Sequence, residues 1–115
     1  MKAIQVHQFG GPEVLQVCDV EVPQLRSEEV LVRVKAAGVN PYDTYMRSGG
    51  YGAKNPALPY TPGSDAAEIF AAIDAGLRNG TLQPVIGTEL PLADAAEAHR
   101  RVMAPGASGK IVLTP

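Results

Sequence analysis

Three side chains in one stretch of the chain have the chemistry to bind a carbonyl compound: Asn40, Tyr45 and Tyr51. A carboxamide can hold a carbonyl or a hydroxyl group, and a phenol can donate a hydrogen bond while its ring stacks on a flat molecule. All three lie within residues 39–64, which are rich in glycine and proline and contain all four tyrosines of the chain. A long loop inside a compact domain is usually functional. The alternative is that the tyrosines only pack the loop and that Asn40 forms a turn.

A second candidate is Lys110, which follows Gly109. Its ammonium group suits a phosphate or ribose contact, and the alternative is a solvated lysine that opens a strand. Other reactive side chains have structural explanations. His99 shares an apolar helix face and is expected in the core, and Cys18 is expected to pack within a strand. Asp65 is favoured as a helix cap over a role in a pocket.

The overall composition excludes several classes of function. The chain has 115 residues, a formal net charge of -2 and one cysteine. This length is enough for one domain with a modest core. The slight acidity argues against nucleic acid as a partner, and no apolar run approaches the roughly 20 residues of a membrane span. A lone thiol cannot form an internal disulfide, so we expect a reducing compartment, the cytoplasm.

Hydrophobic alternation predicts β-structure in the first third of the chain. Ile4 and Val6 alternate with more polar residues, and residues 14–22 form a second extended run after a Gly-Gly-Pro turn. The clearest strand is predicted over residues 29–36, where valine occupies alternate positions. This pattern suits an antiparallel sheet with one partly solvated face.

The apolar spacing changes in the second half of the chain. It predicts helices over residues 65–79 and 92–103, after a short helical turn over residues 42–47. Residues 82–90 are expected to be extended, and residues 110–114 are expected to form a final strand. A β-rich beginning followed by a helix-rich end predicts an α+β fold.

Several motifs occur in an order that is typical of one family. In the first half they are Phe9-Gly10-Gly11-Pro12-Glu13-Val14-Leu15, Ala36-Ala37-Gly38-Val39-Asn40-Pro41, Arg47-Ser48-Gly49 and Leu58-Pro59-Tyr60-Thr61-Pro62-Gly63-Ser64-Asp65. In the second half they are Gly80-Thr81-Leu82-Gln83-Pro84-Val85, Ala96-Glu97-Ala98-His99 and Gly109-Lys110-Ile111-Val112-Leu113. Together they resemble the zinc-independent, zeta-crystallin-like quinone oxidoreductases of the medium-chain dehydrogenase/reductase superfamily.

The resemblance implies that two ends of a longer protein are joined directly at Ala67-Glu68. Residues 1–67 would be the N-terminal part of a GroES-like catalytic domain, and residues 68–115 a C-terminal helix–strand–helix–strand segment. The expected α+β fold is a partial GroES-like antiparallel β-barrel with two packed helices and no Rossmann domain. The missing barrel strands would leave sheet edges open, so we expect a homodimer or pairing with a full-length subunit.

The resemblance also assigns roles to particular residues. Asn40, Tyr45 and Tyr51 would be catalytic, and Asn40, Gly109 and Lys110 would contact NADPH. Zinc-containing relatives place cysteine at the position of Asn40 and histidine at that of Ser64. A carboxamide and a hydroxyl are poor zinc ligands, so no metal is expected.

The implied reaction is hydride transfer from NADPH to a small-molecule quinone or an α,β-unsaturated carbonyl. No strand, glycine-rich turn and helix occur in the order that dinucleotide binding requires. We therefore expect the shortened chain to be a weak or inactive enzyme. The alternative is a non-catalytic variant that acts as an interaction or ligand-binding module and pairs with full-length subunits.

Overall fold

The computed structural model describes residues 1–29, 31–64, 80 and 85–115. The described residues form five strands and two α-helices: β1 Lys2–Val6, β2 Leu15–Asp19, β3 Ala37–Val39, α1 Pro41–Ser48, β4 Ile86–Pro91, α2 Ala95–Arg101 and β5 Lys110–Thr114. Short 3-10 turns precede β2, follow α1 and precede α2. The helix predicted over residues 65–79, with its cap at Asp65, and the join at Ala67-Glu68 lie outside the described residues. This mixture of helices and sheets confirms the broad α+β class.

The first sheet is an antiparallel pair of β1 and β2, with Ile4 opposite Val17. The predicted alternation of β1 is confirmed, because Ile4 and Val6 are buried. The turn between the strands is held by the Gly11 amide, which donates to the Glu13 carboxylate at 2.9 Å. Cys18 lies half-buried in β2, as a packing residue should.

The second sheet has the strand order β3–β5–β4. β3 pairs with β5 in antiparallel orientation, but β4 pairs with β5 in parallel. The expectation of a purely antiparallel sheet is therefore wrong for this pair. The parallel arrangement follows from α2, which connects β4 to β5 and carries the chain back to the same end of the sheet. The described strands form two separate sheets and no closed barrel.

The strand predicted over residues 29–36 is wrong in position. Residues 31–36 form no strand, and pairing begins only at Ala37. An alternating pattern forms a strand only where another strand pairs with it, and no described strand pairs with residues 31–36. Leu31, Val32 and Val34 are accordingly 53–64% exposed.

The core lies between the second sheet, β1 and α2. Its buried cluster consists of Ile4, Val39, Ala95, Ala98, Ile111 and Leu113. The helix predicted over residues 92–103 is a 3-10 turn, Leu92–Asp94, followed by α2. The helical turn predicted over residues 42–47 is confirmed as the longer helix α1, and the final strand over residues 110–114 is confirmed as β5.

Two glycines let β4 and β5 approach closely where they begin to pair. A Cβ at Gly87 would lie 2.1 Å from the carbonyl oxygen of Ser108, and a Cβ at Gly109 would lie 2.6 Å from the Gly87 nitrogen. Gly109 also has a φ of +74°, which favours glycine. This close approach of Gly87 and Gly109 lies directly before Lys110, where β5 begins.

We expect Gly87→Ala to lower the free energy of unfolding by at least about 2 kcal/mol, because the backbone of Ser108 must move. Gly106→Ala is the matched control. Gly106 has a φ of +79° but nothing within 4 Å of the added carbon, so only the backbone conformation is strained, at a cost of about 1 kcal/mol. Urea unfolding of both variants tests the difference, and equal losses would contradict the close approach of β4 and β5.

Candidate functional site

The site is built around the beginning of α1. Asn40 precedes the helix in an extended conformation and Pro41 occupies its first turn, where a missing N–H costs nothing. The Asp43 carboxylate accepts the Asn40 backbone N–H through Oδ2 at 2.8 Å. Its other oxygen, Oδ1, accepts the Ser64 hydroxyl at 3.3 Å. Buried Asp43 thus ties Asn40 and Ser64, 24 positions apart in sequence, to one helix end.

Lys110 reaches this helix end from β5. Its Nζ donates a hydrogen bond to Oδ1 of Asn40, across a separation of 70 residues. The β3–β5 register makes the contact possible, because Val39 pairs with Ile111 and Asn40 and Lys110 are the residues that adjoin this last pair. Two of the residues predicted from sequence are therefore brought together. Gly109 adjoins Lys110 and packs against Gly87.

Tyr51 is held by a side chain that sequence reasoning missed. Its backbone N–H donates to Oδ1 of Asn55 at 3.1 Å, and Nδ2 of Asn55 donates to the carbonyl of Gly49 at 2.9 Å. Gly49 ends α1 with a φ of +81°. The Asn55 amide therefore closes the turn that follows the helix. The sequence signal that could have indicated this role of Asn55 is an asparagine four residues after a tyrosine in a glycine-rich loop.

The Tyr51 ring contacts Tyr42 rather than any residue predicted with it. The two ring centroids are 5.3 Å apart and the planes are tilted by 58°, a favourable arrangement for two aromatic rings. Tyr45 lies almost one helical turn after Tyr42 and is 47% exposed. The helix thus presents two phenols to its surface, and Tyr42 was not among the predicted site residues.

A cavity of about 240 Å³ opens between α1 and the segment that precedes the undescribed residues. Its walls combine apolar side chains with a carboxylate, a phenol and hydroxyl groups. The lining residues are Tyr42, Asp43, Met46, Pro56, Tyr60, Thr61, Pro62, Gly63 and Ser64. A recess with apolar walls and a few polar groups is the usual form of a small-molecule site. None of the residues predicted from sequence, Asn40, Tyr45, Tyr51, Gly109 and Lys110, lines this cavity.

Buried polar atoms without a hydrogen-bond partner occur on Arg47, on His99 and on Tyr60, which also lines the cavity. Among the described residues, Nε and Nη1 of Arg47, the Tyr60 hydroxyl and Nδ1 of His99 have no hydrogen-bond partner. Burial lowers the pKa of Arg47 and raises the pKa of Tyr60. Burial, and next the positive charge of Arg47, lower the pKa of His99 to about 4. His99 is therefore neutral at pH 7 and is confirmed as a core histidine.

The family of the chain follows from its comparison with known proteins. A family model described as zinc-binding dehydrogenase matches residues 15–113. The chain therefore belongs to that family. It is also similar to the quinone oxidoreductase of Rattus norvegicus, with 56% identity over 78 residues. That alignment covers 67% of this chain but only 23% of the rat protein.

Solved structures agree with this assignment. A mycobacterial quinone oxidoreductase matches with a TM-score of 0.50 and 45% identity, covering 56% of this chain and 18% of that one. A mycobacterial protein complexed with NADPH matches with the same score and identity and covers 19% of that chain. The chain thus spans about a quarter or less of the length of these relatives.

Two further findings concern metals and membranes. Within residues 1–29, 31–64, 80 and 85–115, no group of three histidine, cysteine or acidic side chains is placed to hold a metal ion. In the same part of the chain, neither helix has the length and apolar character needed to cross a bilayer.

The low pKa of His99 predicts a loss of stability in mild acid. The unfolded chain binds a proton as the pH falls below about 6.5, whereas the folded chain does so only near 4. The free energy of unfolding should therefore fall by at least about 1 kcal/mol between pH 7 and about pH 5. Below about pH 4 both states are protonated, so this contribution stops changing.

Urea unfolding of the wild type and of His99→Gln at the two pH values measures this effect. We expect His99→Gln to remove most of the pH dependence, whatever its own stability at neutral pH. His7→Gln is the matched control, because His7 is exposed, and it should keep the wild-type dependence. A His99→Gln variant with an unchanged pH dependence would contradict the assignment.

Proposed function

We propose that this chain carries the substrate-side part of an NADPH-dependent quinone oxidoreductase. The reaction it serves would transfer a hydride from the nicotinamide to a quinone or an α,β-unsaturated carbonyl. With a quinone, the hydride and one proton together give the hydroquinone and NADP⁺. The observation that carries the proposal is the bond between Lys110 and Asn40, which joins the C-terminal Gly-Lys motif to the loop that holds the tyrosines.

The residues divide into two groups by their chemistry. Tyr45 and Tyr51 would donate hydrogen bonds to the developing oxyanion of the substrate, since phenols are donors. Tyr42, which packs against Tyr51, would support that ring as a stacking surface. Asn40 and Lys110 would contact the cofactor, because an ammonium and a carboxamide suit phosphate and ribose groups.

NADPH supplies the hydride when bound, and the chain's own residues fit only part of it. Lys110 lies beside Asn40 at the end of the cavity-lining helix, which suits the ribose or a phosphate. Gly109 keeps the backbone next to Lys110 free of a side chain. No described segment follows the strand, glycine-rich turn and helix order that holds a pyrophosphate. We therefore propose that the chain alone is a weak or inactive catalyst.

We further propose that the site works without zinc, although the family description names that metal. The side chains at the two zinc-ligand positions are Asn40 and Ser64. The Ser64 hydroxyl donates to the Asp43 carboxylate, and Oδ1 of Asn40 accepts a hydrogen bond from Lys110. Amide and hydroxyl oxygens are weak partners for zinc. Polarisation of the substrate would then come from hydrogen-bond donors.

We propose a domain organisation that matches this function. Residues 1–67 would derive from the GroES-like catalytic domain and residues 68–115 from the end of the same family, joined directly. A reducing, cytoplasmic location fits the single thiol of Cys18.

A second, non-catalytic function is favoured by one observation. Residues 31–36 are extended in sequence pattern, unpaired with any described strand and rich in exposed apolar side chains. Such a segment invites pairing with another chain. We propose self-association, or pairing with a full-length subunit, as the alternative role.

Titration with NADPH, followed by nucleotide fluorescence, tests the cofactor contacts. We expect Asn40→Ala and Lys110→Ala each to raise the dissociation constant by about 5-fold or more, since each removes one polar contact. Lys54→Ala is the matched control, because Lys54 is an exposed lysine in the turn after α1, and it should bind like the wild type. Equal affinities of all four proteins would overturn the proposed cofactor contacts.

Titration with a soluble benzoquinone tests the substrate side separately. We expect Tyr51→Phe to weaken quinone binding by about 3- to 10-fold through loss of one hydrogen bond, while NADPH affinity is unchanged. Quinone binding without any NADPH binding would favour the non-catalytic alternative. If neither ligand binds at millimolar concentration, the proposed site is wrong.

A further inference from the structure

A second cavity of about 240 Å³ opens where the chain leaves α2 and turns back toward β5. It is lined by Arg101 at the end of α2, residues 104–108 of the connecting loop, Thr88 of β4 and Ile111 of β5. None of these residues lines the cavity beside α1. The recess is therefore separate from the site described above.

The wall of this second cavity carries a positive charge. Among the described residues that line it, Arg101 is charged and no carboxylate is present. Glu97, one helical turn earlier, accepts a hydrogen bond from Nε of Arg101 at 2.7 Å and another from Nε of Arg100 at 3.0 Å. One carboxylate thus faces two guanidinium groups, and the last turn of α2 keeps a net positive charge. Because Glu97 binds Arg101 through Nε, the Nη groups remain as donors to a ligand.

Two nearby features could repel an anion, and the structure limits both. The carbonyl groups at the end of α2 carry partial negative charge, but they already accept the backbone N–H groups of residues 102–104. Glu89 follows Thr88 in β4, and successive side chains of a strand point to opposite faces of the sheet. Glu89 accordingly does not line the cavity. The guanidinium of Arg101 is therefore the charged group that a ligand in this cavity would meet.

The remaining wall adds hydroxyl groups and apolar surface. Thr88 and Ser108 each supply a hydroxyl that can donate a hydrogen bond, and an arginine can bind phosphate oxygens through two parallel bonds. Ile111 is buried and, with the small residues of the loop, forms the apolar part of the wall. An apolar cavity of about 150 Å³ holds a benzene molecule, so this recess has room for a small organic group beside a phosphate.

We propose that this second cavity binds a small organic phosphate monoester, with the phosphate held by Arg101 and the hydroxyl groups of Thr88 and Ser108. The inference goes beyond the proposed function and does not depend on the binding of NADPH or of a quinone at the first site. With one arginine and two hydroxyl groups as contacts, we expect a dissociation constant of about 1 mM.

Titration with phenyl phosphate at constant ionic strength, followed by NMR of the backbone amides near residues 104–108, tests the site. Arg101→Gln should raise the dissociation constant by about 10-fold or more, because a charge-assisted contact is lost. Arg100→Gln is the matched control. It removes the same charge and the same bond to Glu97, but Arg100 does not line the cavity, so affinity should stay within about 3-fold of the wild type. Both variants should fold, since exposed ion pairs contribute little to stability.

The outcomes separate this inference from the proposed function. Equal losses of affinity in Arg100→Gln and Arg101→Gln would reveal unspecific charge attraction and overturn the site. Benzoate that binds as tightly as phenyl phosphate would also overturn it, as would a wild type that binds no phenyl phosphate at about 10 mM. NADPH also carries a phosphate monoester. An NADPH affinity that falls in Arg101→Gln but not in Lys110→Ala would support this phosphate site and contradict the cofactor contacts proposed above.

Discussion

The arrangement of the core and of the candidate site depends on the register between β3 and β5. Val39 pairs with Ile111, and both side chains are buried in the core together with Leu113. The register is determined on the β3 side, because a one-residue slip of β3 would turn buried Val39 out of the core. Asn40 and Lys110 adjoin this last pair and are joined by a side-chain hydrogen bond, so the same packing that closes the core also assembles the polar end of the site.

Helix α1 begins next to the contact between Asn40 and Lys110 and carries the tyrosines on its exposed side. The Asp43 carboxylate accepts hydrogen bonds from the Asn40 backbone N–H and the Ser64 hydroxyl, and the turn after the helix is closed by Asn55. These are local bonds to groups that would otherwise lack partners. They leave the tyrosines on the outer side of the helix, while Arg47 faces inward and is buried. The buried guanidinium in turn helps to keep His99 neutral.

Sequence reasoning succeeded where a local signal decided the structure. The alternation of Ile4 and Val6 identified β1, the helical turn predicted over residues 42–47 lies within α1, and residues 110–114 formed the expected strand. It failed for the strand predicted over residues 29–36. The alternation there is clear, but a strand also requires a partner, and no described strand pairs with residues 31–36. The parallel pairing of β4 with β5 could likewise not be predicted from the sequence pattern, because strand direction depends on how α2 connects the two strands.

The sequence by itself determined the family, the residue types of the site and the local helix and strand signals, since these depend on neighbours along the chain. The tertiary structure decided which of the candidate site residues contact each other. Asn40 meets Lys110 across 70 residues, Tyr51 meets Tyr42 rather than Tyr45, and a histidine expected in the core shares its surroundings with a buried arginine. Such contacts depend on strand register and on the face that a helix turns inward. Both are set by burial of apolar side chains from distant parts of the chain, which no local pattern specifies.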